Sequence, residues 1–203
     1  MRLTPPPRLD LHDFTLRAWS PADAGALRAA LEASDAHLRA FTPWVIDGRV
    51  PGLSLEARLA RHAAEFAAGV EWVYGLFSPN GREVLGGCGL YPRVGPRAVE
   101  VGYWLAVGHT GRGLATRASA ALTRVAFAHP AIDQVEIHCD RRNTASARVP
   151  ERLGYRVVDA AAGKDDVQFW RLIRTDFVRQ PWAAESSDDI AVALLHDENP
   201  DHR

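Results

Sequence analysis

The stretch Val99-Glu-Val-Gly-Tyr-Trp-Leu-Ala-Val-Gly-His-Thr-Gly-Arg-Gly-Leu-Ala-Thr116 passes from an apolar, aromatic segment of strand length into a loop with glycines at 108, 111 and 113. An alanine-rich segment with apolar residues at helical spacing follows, through Ala128. Strand, glycine loop and helix in this order aim backbone N–H groups at an anion. The first N–H groups of a helix lack internal acceptors, and the helix dipole favours negative charge there. Glycines at 111 and 113 remove side chains that would hold a phosphate away. The stretch therefore predicts a phosphate-bearing ligand over residues 111–116.

Working outward, the segment after the loop carries Leu114, Ala118, Leu122 and Val125 on one stripe, and Pro130 closes it. Residues 134–139 alternate, with Val135, Ile137 and Cys139 on one face and Glu136 and His138 on the other. Strand, crossover helix and strand predict a parallel pair. Asn143 opens a helix that stops at Gly154 and contains Pro150, which removes a backbone donor and bends it. Residues 155–158 and 167–173 read as the last strands.

Upstream, 14–18, 71–78, 83–93 and 97–107 read as strands, with Pro79-Asn-Gly81 as a hairpin turn. Glycines at 86, 87 and 89 predict a kink or bulge in 83–93. Ser20-Pro21 with Asp23 opens a helix to about residue 33. A shorter one ends near Phe41, and 53–68 repeats Leu55, Leu59, Ala63 and Phe66 on one face. Residues 42–52 read as a loop bearing Trp44, packed beneath it or forming the wall of a cleft. Residues 1–12, with prolines at 5, 6 and 7, read as a flexible arm, 13–175 as the domain, and 176–203 as a tail.

A length of 203 residues suits one domain, and a net charge of -1 gives no global reason to expect nucleic acid or an anionic membrane. Cys88 and Cys139 stand apart in apolar settings and read as reduced core residues. No apolar run reaches membrane-spanning length, and the N-terminus lacks a signal-peptide hydrophobic region. A cytoplasmic protein is expected. A dinucleotide-binding loop would need a third small residue after Gly111-Arg-Gly113, where Leu114, Ala115 and Thr116 stand instead.

Three ordered pieces, Glu100-Val-Gly-Tyr-Trp-Leu-Ala-Val107, Gly111-Arg-Gly-Leu-Ala115 and Asn143-Thr-Ala-Ser-Ala-Arg-Val149 ahead of Arg152-Leu-Gly-Tyr155, resemble the GNAT acyltransferase superfamily, and within it the RimJ/RimL type of N-terminal acetyltransferase. The resemblance spans about residues 14–174. It implies an α+β fold with a mostly antiparallel seven-stranded sheet, splayed between strands 4 and 5, and helices on both faces. It implies acetyl-CoA as donor and no metal. The pyrophosphate would sit on Gly111, Arg112, Gly113, Leu114 and Ala115, with Thr116 adding its hydroxyl. The backbone of Leu105, Ala106 and Val107 would pair with the pantetheine arm and polarise the thioester carbonyl, and Asn143 would contact the same arm.

Gly108 departs from the Gln or Arg usual at its position, leaving His109 or Arg112 to supply that contact. The acceptor implied is a primary amine, first a protein or peptide N-terminus and second a small molecule. Trp19, Trp44, Trp72 and residues 41–52 would line its side, and a homodimer is expected. Transfer to an amine requires removal of a proton and favours protonation of the departing thiolate. Glu100 is the expected base, with Glu136 and His138 as alternatives, and Tyr155 or Ser146 the expected acid. A catalytically inactive acyl-CoA-binding module is the alternative function.

Overall fold

A computed structural model describes residues 3–48, 52–159 and 165–184. Among these, eight strands form one sheet: β1 (Arg8–Leu11), β2 (Phe14–Ala18), β3 (Trp72–Phe77), β4 (Val84–Tyr91), β5 (Ala98–Leu105), β6 (Gln134–Asp140), β7 (Arg156–Val158) and β8 (Val167–Ile173). Their order is β1-β2-β3-β4-β5-β6-β8-β7. Every neighbouring pair is antiparallel except β5 and β6.

The mixed sheet and its single parallel seam agree with the expectation, but the strand count rises from seven to eight. Residues 8–11, expected in the arm, pair with β2 through a tight turn at His12-Asp13. The segment before them is docked as well. Leu3 is buried, and the Tyr74 hydroxyl donates to the Pro6 carbonyl at 2.8 Å.

Helices cover both faces. One carries α1 (Ala24–Ala33), α2 (Asp35–Arg39), α3 (Pro43–Asp47) and α4 (Leu55–Ala68). Their apolar residues pack with Trp19, Phe77 and Val84. The opposite face receives α5 (Leu114–Ala128) and α6 (Thr144–Arg152) over the larger cluster. Local rules explain the helix starts. Ser20 and Asp23 form a capping box on the short turn before α1, and Ser54 accepts the Ala57 N–H at the start of α4. The expected loop 42–52 is partly helical, because Pro43 occupies the first turn of α3.

Glycine in β4 permits close strand approach. A Cβ at Gly86 would collide with the Trp104 carbonyl across the β4–β5 pair. The register against β3 also shifts between Leu76 and Phe77, giving the irregularity expected from this glycine-rich strand.

The domain continues past residue 175. Arg174 begins α7 (Arg174–Phe177) and donates to the carbonyls of Phe127, His129 and Ile132, capping the end of α5. Phe177 stacks on Phe127 at 4.6 Å, and Trp182 is buried against Phe177. Of the expected tail, residues 185–203 lie outside the described residues.

Under the glycine loop, the α5 residue Arg117 is 3% exposed and donates both terminal nitrogens to Asp13 in the β1–β2 turn, one at 3.0 Å. Burial would push the Asp13 carboxyl up, but the hydrogen bonds and charge of Arg117 outweigh it and hold it below the ordinary value. With the folded value depressed, the pair stabilises the fold above the ordinary aspartate range and loses that contribution as pH falls through the lower folded value. Asp13→Asn should therefore cost about 1–3 kcal/mol at neutral pH, toward the lower end because Asp13 is partly in water, and should flatten the acid limb of stability. Urea denaturation between neutral pH and pH ~3 checks both.

Candidate functional site

The strand β5 keeps its antiparallel partner β4 from Glu100 to Leu105, but pairs with β6 only over Ala98, Val99 and Glu100. Beyond Glu100 the two parallel strands part, while β6 stays paired along its whole length with β8. The Ala106 N–H donates to the Leu85 carbonyl at 2.9 Å on the β4 side. Backbone alternation then turns the peptide groups of residues 101, 103 and 105 toward the gap. The Val107 N–H is held by the Ser34 hydroxyl at 3.0 Å. Of the three backbone positions expected to meet an acyl arm, only Leu105 presents its N–H to the open edge.

At the end of β5 the chain makes a short turn at Val107–His109 and enters the glycine loop. Gly111 and Gly113 have φ of 74° and 70°, a left-handed region costly for other residues. A Cβ built on either meets nothing within 4 Å, so the hollow above the loop is open. The first bond of α5 runs from the Arg117 N–H to the Gly113 carbonyl. Among the described residues, no protein acceptor takes the N–H groups of 111–116. Arg112 donates to His109 Nδ1 at 3.1 Å, and His109 Nε2 contacts Glu83 at 3.0 Å. That chain holds a guanidinium beside the loop where Gly108 offers no side chain. The loop has the anion cradle that a diphosphate requires.

A cleft of about 320 Å³ adjoins the fork between β5 and β6 and extends beneath α3 and α4. The family model described as an acetyltransferase (GNAT) domain matches residues 13–156.

The chain belongs to the GNAT acetyltransferase family.

No curated protein matches the chain by sequence. Solved structures share the acetyltransferase fold. One is a ribosomal L7/L12 α-N-protein acetyltransferase, RimL, held in a disulfide complex with coenzyme A; it is 19% identical, with a TM-score of 0.72, over 83% of this chain and 99% of that one. RimJ from Mycobacterium smegmatis, in complex with CoA-disulfide, is 22% identical with a TM-score of 0.72, over 89% and 88%. The ribosomal-protein-S5-alanine acetyltransferase from Vibrio fischeri is 17% identical with a TM-score of 0.70, over 83% and 97%. The acetyltransferase uses acetyl-CoA as donor, and its open edge and glycine loop fit that co-substrate. No helix among the described residues is long and apolar enough to cross a membrane.

The expected side chains of this acetyltransferase divide into three groups. Glu100, Asn143 and Ser146 line the cleft, and Trp44 stands 52% exposed at its rim. The amide oxygen of Asn143 caps α6 by accepting the Ser146 N–H at 3.0 Å. Tyr155 does not line the cleft. It is buried, its hydroxyl lies 2.6 Å from Thr123 Oγ1, and burial pushes that hydroxyl up. Trp72 lies in the core on the α5 side, whereas Trp19 and Trp104 line the cleft.

Sequence reasoning missed Tyr103. Its hydroxyl donates to the Ser146 carbonyl at 2.9 Å and lies 3.0 Å from Ser146 Oγ. In an uninterrupted helix residue 150 would donate to that carbonyl, but Pro150 has no N–H. The signal was therefore present as a proline four residues after the serine, legible only once β5 was placed beside α6. Burial pushes the Tyr103 hydroxyl up, which keeps it protonated at neutral pH.

Charged groups concentrate on the other face of the fork. Arg93 grips Glu100 with two hydrogen bonds, at 2.8 and 2.6 Å. His138 lies between Glu100, 3.4 Å from its Nδ1, and Glu136, 2.7 Å from its Nε2. Arg171 donates to the second oxygen of Glu136 at 2.8 Å. Burial would push Glu136 up, but His138 and Arg171 hold it below the usual carboxylate range.

These placements put the Tyr155 hydroxyl in the core against α5 and the Tyr103 hydroxyl beside the cleft. Tyr155→Phe should lower unfolding free energy by about 1 kcal/mol, the worth of one buried hydrogen bond, while CoA affinity stays unchanged. Denaturant titration and calorimetry with CoA measure the two effects.

Proposed function

We propose that the protein acetylates the α-amine of a protein or peptide N-terminus. The observation that carries this reading is the open β5 edge meeting a cleft that extends under α3 and α4, with the anion cradle at the far end of the same strand. The acceptors named for the similarly folded RimL and S5-alanine enzymes, ribosomal proteins, support the choice of an N-terminus. A chain end enters a cleft edgewise, and Trp44 and Phe41 give its first side chain an apolar wall.

In this reading the N–H groups of Gly111, Arg112, Gly113, Leu114, Ala115 and Thr116 bind the pyrophosphate of the donor, with the Arg112 guanidinium and the Thr116 hydroxyl beside them. The free N–H of Leu105 polarises the thioester carbonyl, and the amide nitrogen of Asn143 meets the pantetheine arm. The amine enters from the α4 side, where Glu100 attracts it, and loses its proton to the charged cluster at the fork. The Tyr103–Ser146 pair, on the opposite face, returns a proton to the thiolate. The work would take place in the cytoplasm, consistent with two free, buried cysteines, and the protein would act as a homodimer.

Incubation with acetyl-CoA and a panel of peptides carrying free N-termini, followed by mass detection of one added acetyl group, tests the acceptor. Acetylation of small amines in preference to every peptide would overturn it. For the donor site, Gly113→Asp places a carboxylate in the cradle and a side chain at a left-handed position, and should weaken CoA binding about tenfold or more. Unchanged calorimetric affinity would reject the cradle. Tyr103→Phe should lower kcat about 10²-fold with CoA affinity retained.

A further inference from the structure

The cluster at the fork holds two carboxylates and one imidazole, and they are not equivalent. Glu100 is committed to Arg93 through both oxygens, at 2.6 and 2.8 Å, so the guanidinium already occupies an acceptor position on each. His138 is differently placed. It projects from β6 on the face shared with Glu100, is only 17% exposed, and lines the cleft. Its ring lies 4.4 Å from Phe169, which limits its orientation. An ionised carboxylate only accepts, so the 2.7 Å contact with Glu136 assigns the proton to Nε2. Arg171 in turn fixes Glu136, at 2.8 Å. In the neutral ring the lone pair then lies on Nδ1, the nitrogen 3.4 Å from Glu100.

We propose that His138, oriented by Glu136, is the general base of the acetyl transfer, and that Glu100 holds the positive charge the ring acquires. This rests on the acetyl-transfer reading above. The amine nitrogen bonds to the thioester carbonyl carbon and its proton passes to His138 Nδ1. The carbon–sulfur bond breaks, the thiolate takes a proton from the Tyr103–Ser146 pair, and the imidazolium releases its proton to water, which restores that pair. The products are the amide and CoA with its thiol. Glu136 is a positioning residue. It never meets the amine, but it selects the tautomer and stabilises the imidazolium, with Glu100 on the other side of the ring. The groups facing the imidazole are Glu100 from β5, Glu136 from its own strand, Arg93 from the segment after β4 and Arg171 from β8. Each carboxylate is paired with an arginine, and the imidazole is the group of this cluster to which the proton is assigned.

The test is the pH dependence of kcat, measured on the full-length protein with acetyl-CoA and the best peptide of the acceptor panel. His138→Gln should lower kcat about 10²-fold or more, erase the acidic limb of the profile and leave CoA affinity unchanged. Added imidazole should restore part of the rate to His138→Ala. Glu136→Gln should keep the limb but move it to lower pH, since losing the anion favours the neutral ring; a purely structural Glu136 would leave the limb in place. A His138→Gln protein with the wild-type limb would overturn the proposal. So would loss of the limb in Glu100→Gln with its retention in His138→Gln. Failure of the unaltered protein to bind CoA or transfer acetyl to any amine would overturn the acetyl-transfer reading as well.

Discussion

A strand paired on one edge and open on the other is the constraint on which the site depends. Backbone N–H and C=O groups need partners, and an unpaired buried one costs roughly 1–3 kcal/mol. The strand β5 meets this requirement on the β4 side from Glu100 to Leu105 and on the β6 side only over Ala98, Val99 and Glu100. Full β6–β8 pairing holds β6 in the sheet by its other edge while its edge toward β5 opens beyond Glu136. The gap faces a cleft that water can fill, so the open edge is tolerable when empty and competent to bind an extended ligand. The glycine loop continues the same logic. It leaves a run of N–H groups that have no acceptor among the described residues beneath an open hollow, and the helix behind it supplies the favourable field.

Strand alternation then divides the chemistry between two faces. Successive side chains of β5 point to opposite sides. Glu100 and Trp104 face α1 and α4, with His138 following from β6. Tyr103 and Leu105 face α5 and α6, with Cys139 following. The charged cluster of Glu100 and His138 and the Tyr103–Ser146 pair are thus kept on opposite faces of the sheet while both border the opening. The partial burial of the charged cluster raises the value of each contact, because water screens it less.

The legible parts of the chain were those governed by short-range rules. Cap residues, helical spacing, the Pro-Asn-Gly turn and the glycine loop act within a few residues, and the elements they specify lie within a few positions of where they were expected. The single parallel seam followed from a crossover helix of adequate length. The first strand was not legible because three prolines precede Arg8, while the order of 8–11 comes from pairing with β2, from the burial of Leu3 and from the Pro6 and Pro7 carbonyls, which accept from the Tyr74 hydroxyl and the Ala18 N–H. The same limit applies to the site. Trp72 and Trp104 look alike as aromatic residues in strands, and only register against β4 puts one in the core and the other in the cleft. Tyr155 and Tyr103 differ in the same way, one meeting Thr123 of α5 and the other Ser146 of α6.

Pro150 shows how a local defect becomes a site feature. Within α6 it removes one rung of the helix and would ordinarily leave the Ser146 carbonyl without its acceptor role. That carbonyl instead receives the Tyr103 hydroxyl across the gap between β5 and α6. A carbonyl only accepts, so the 3.0 Å contact between the two hydroxyls must have Ser146 as donor. Both protons are then accounted for in a fixed order: serine to tyrosine, tyrosine to backbone. The helix fault and the strand opening are therefore complementary, for the fault orients a donor at the place where the opening admits an acceptor.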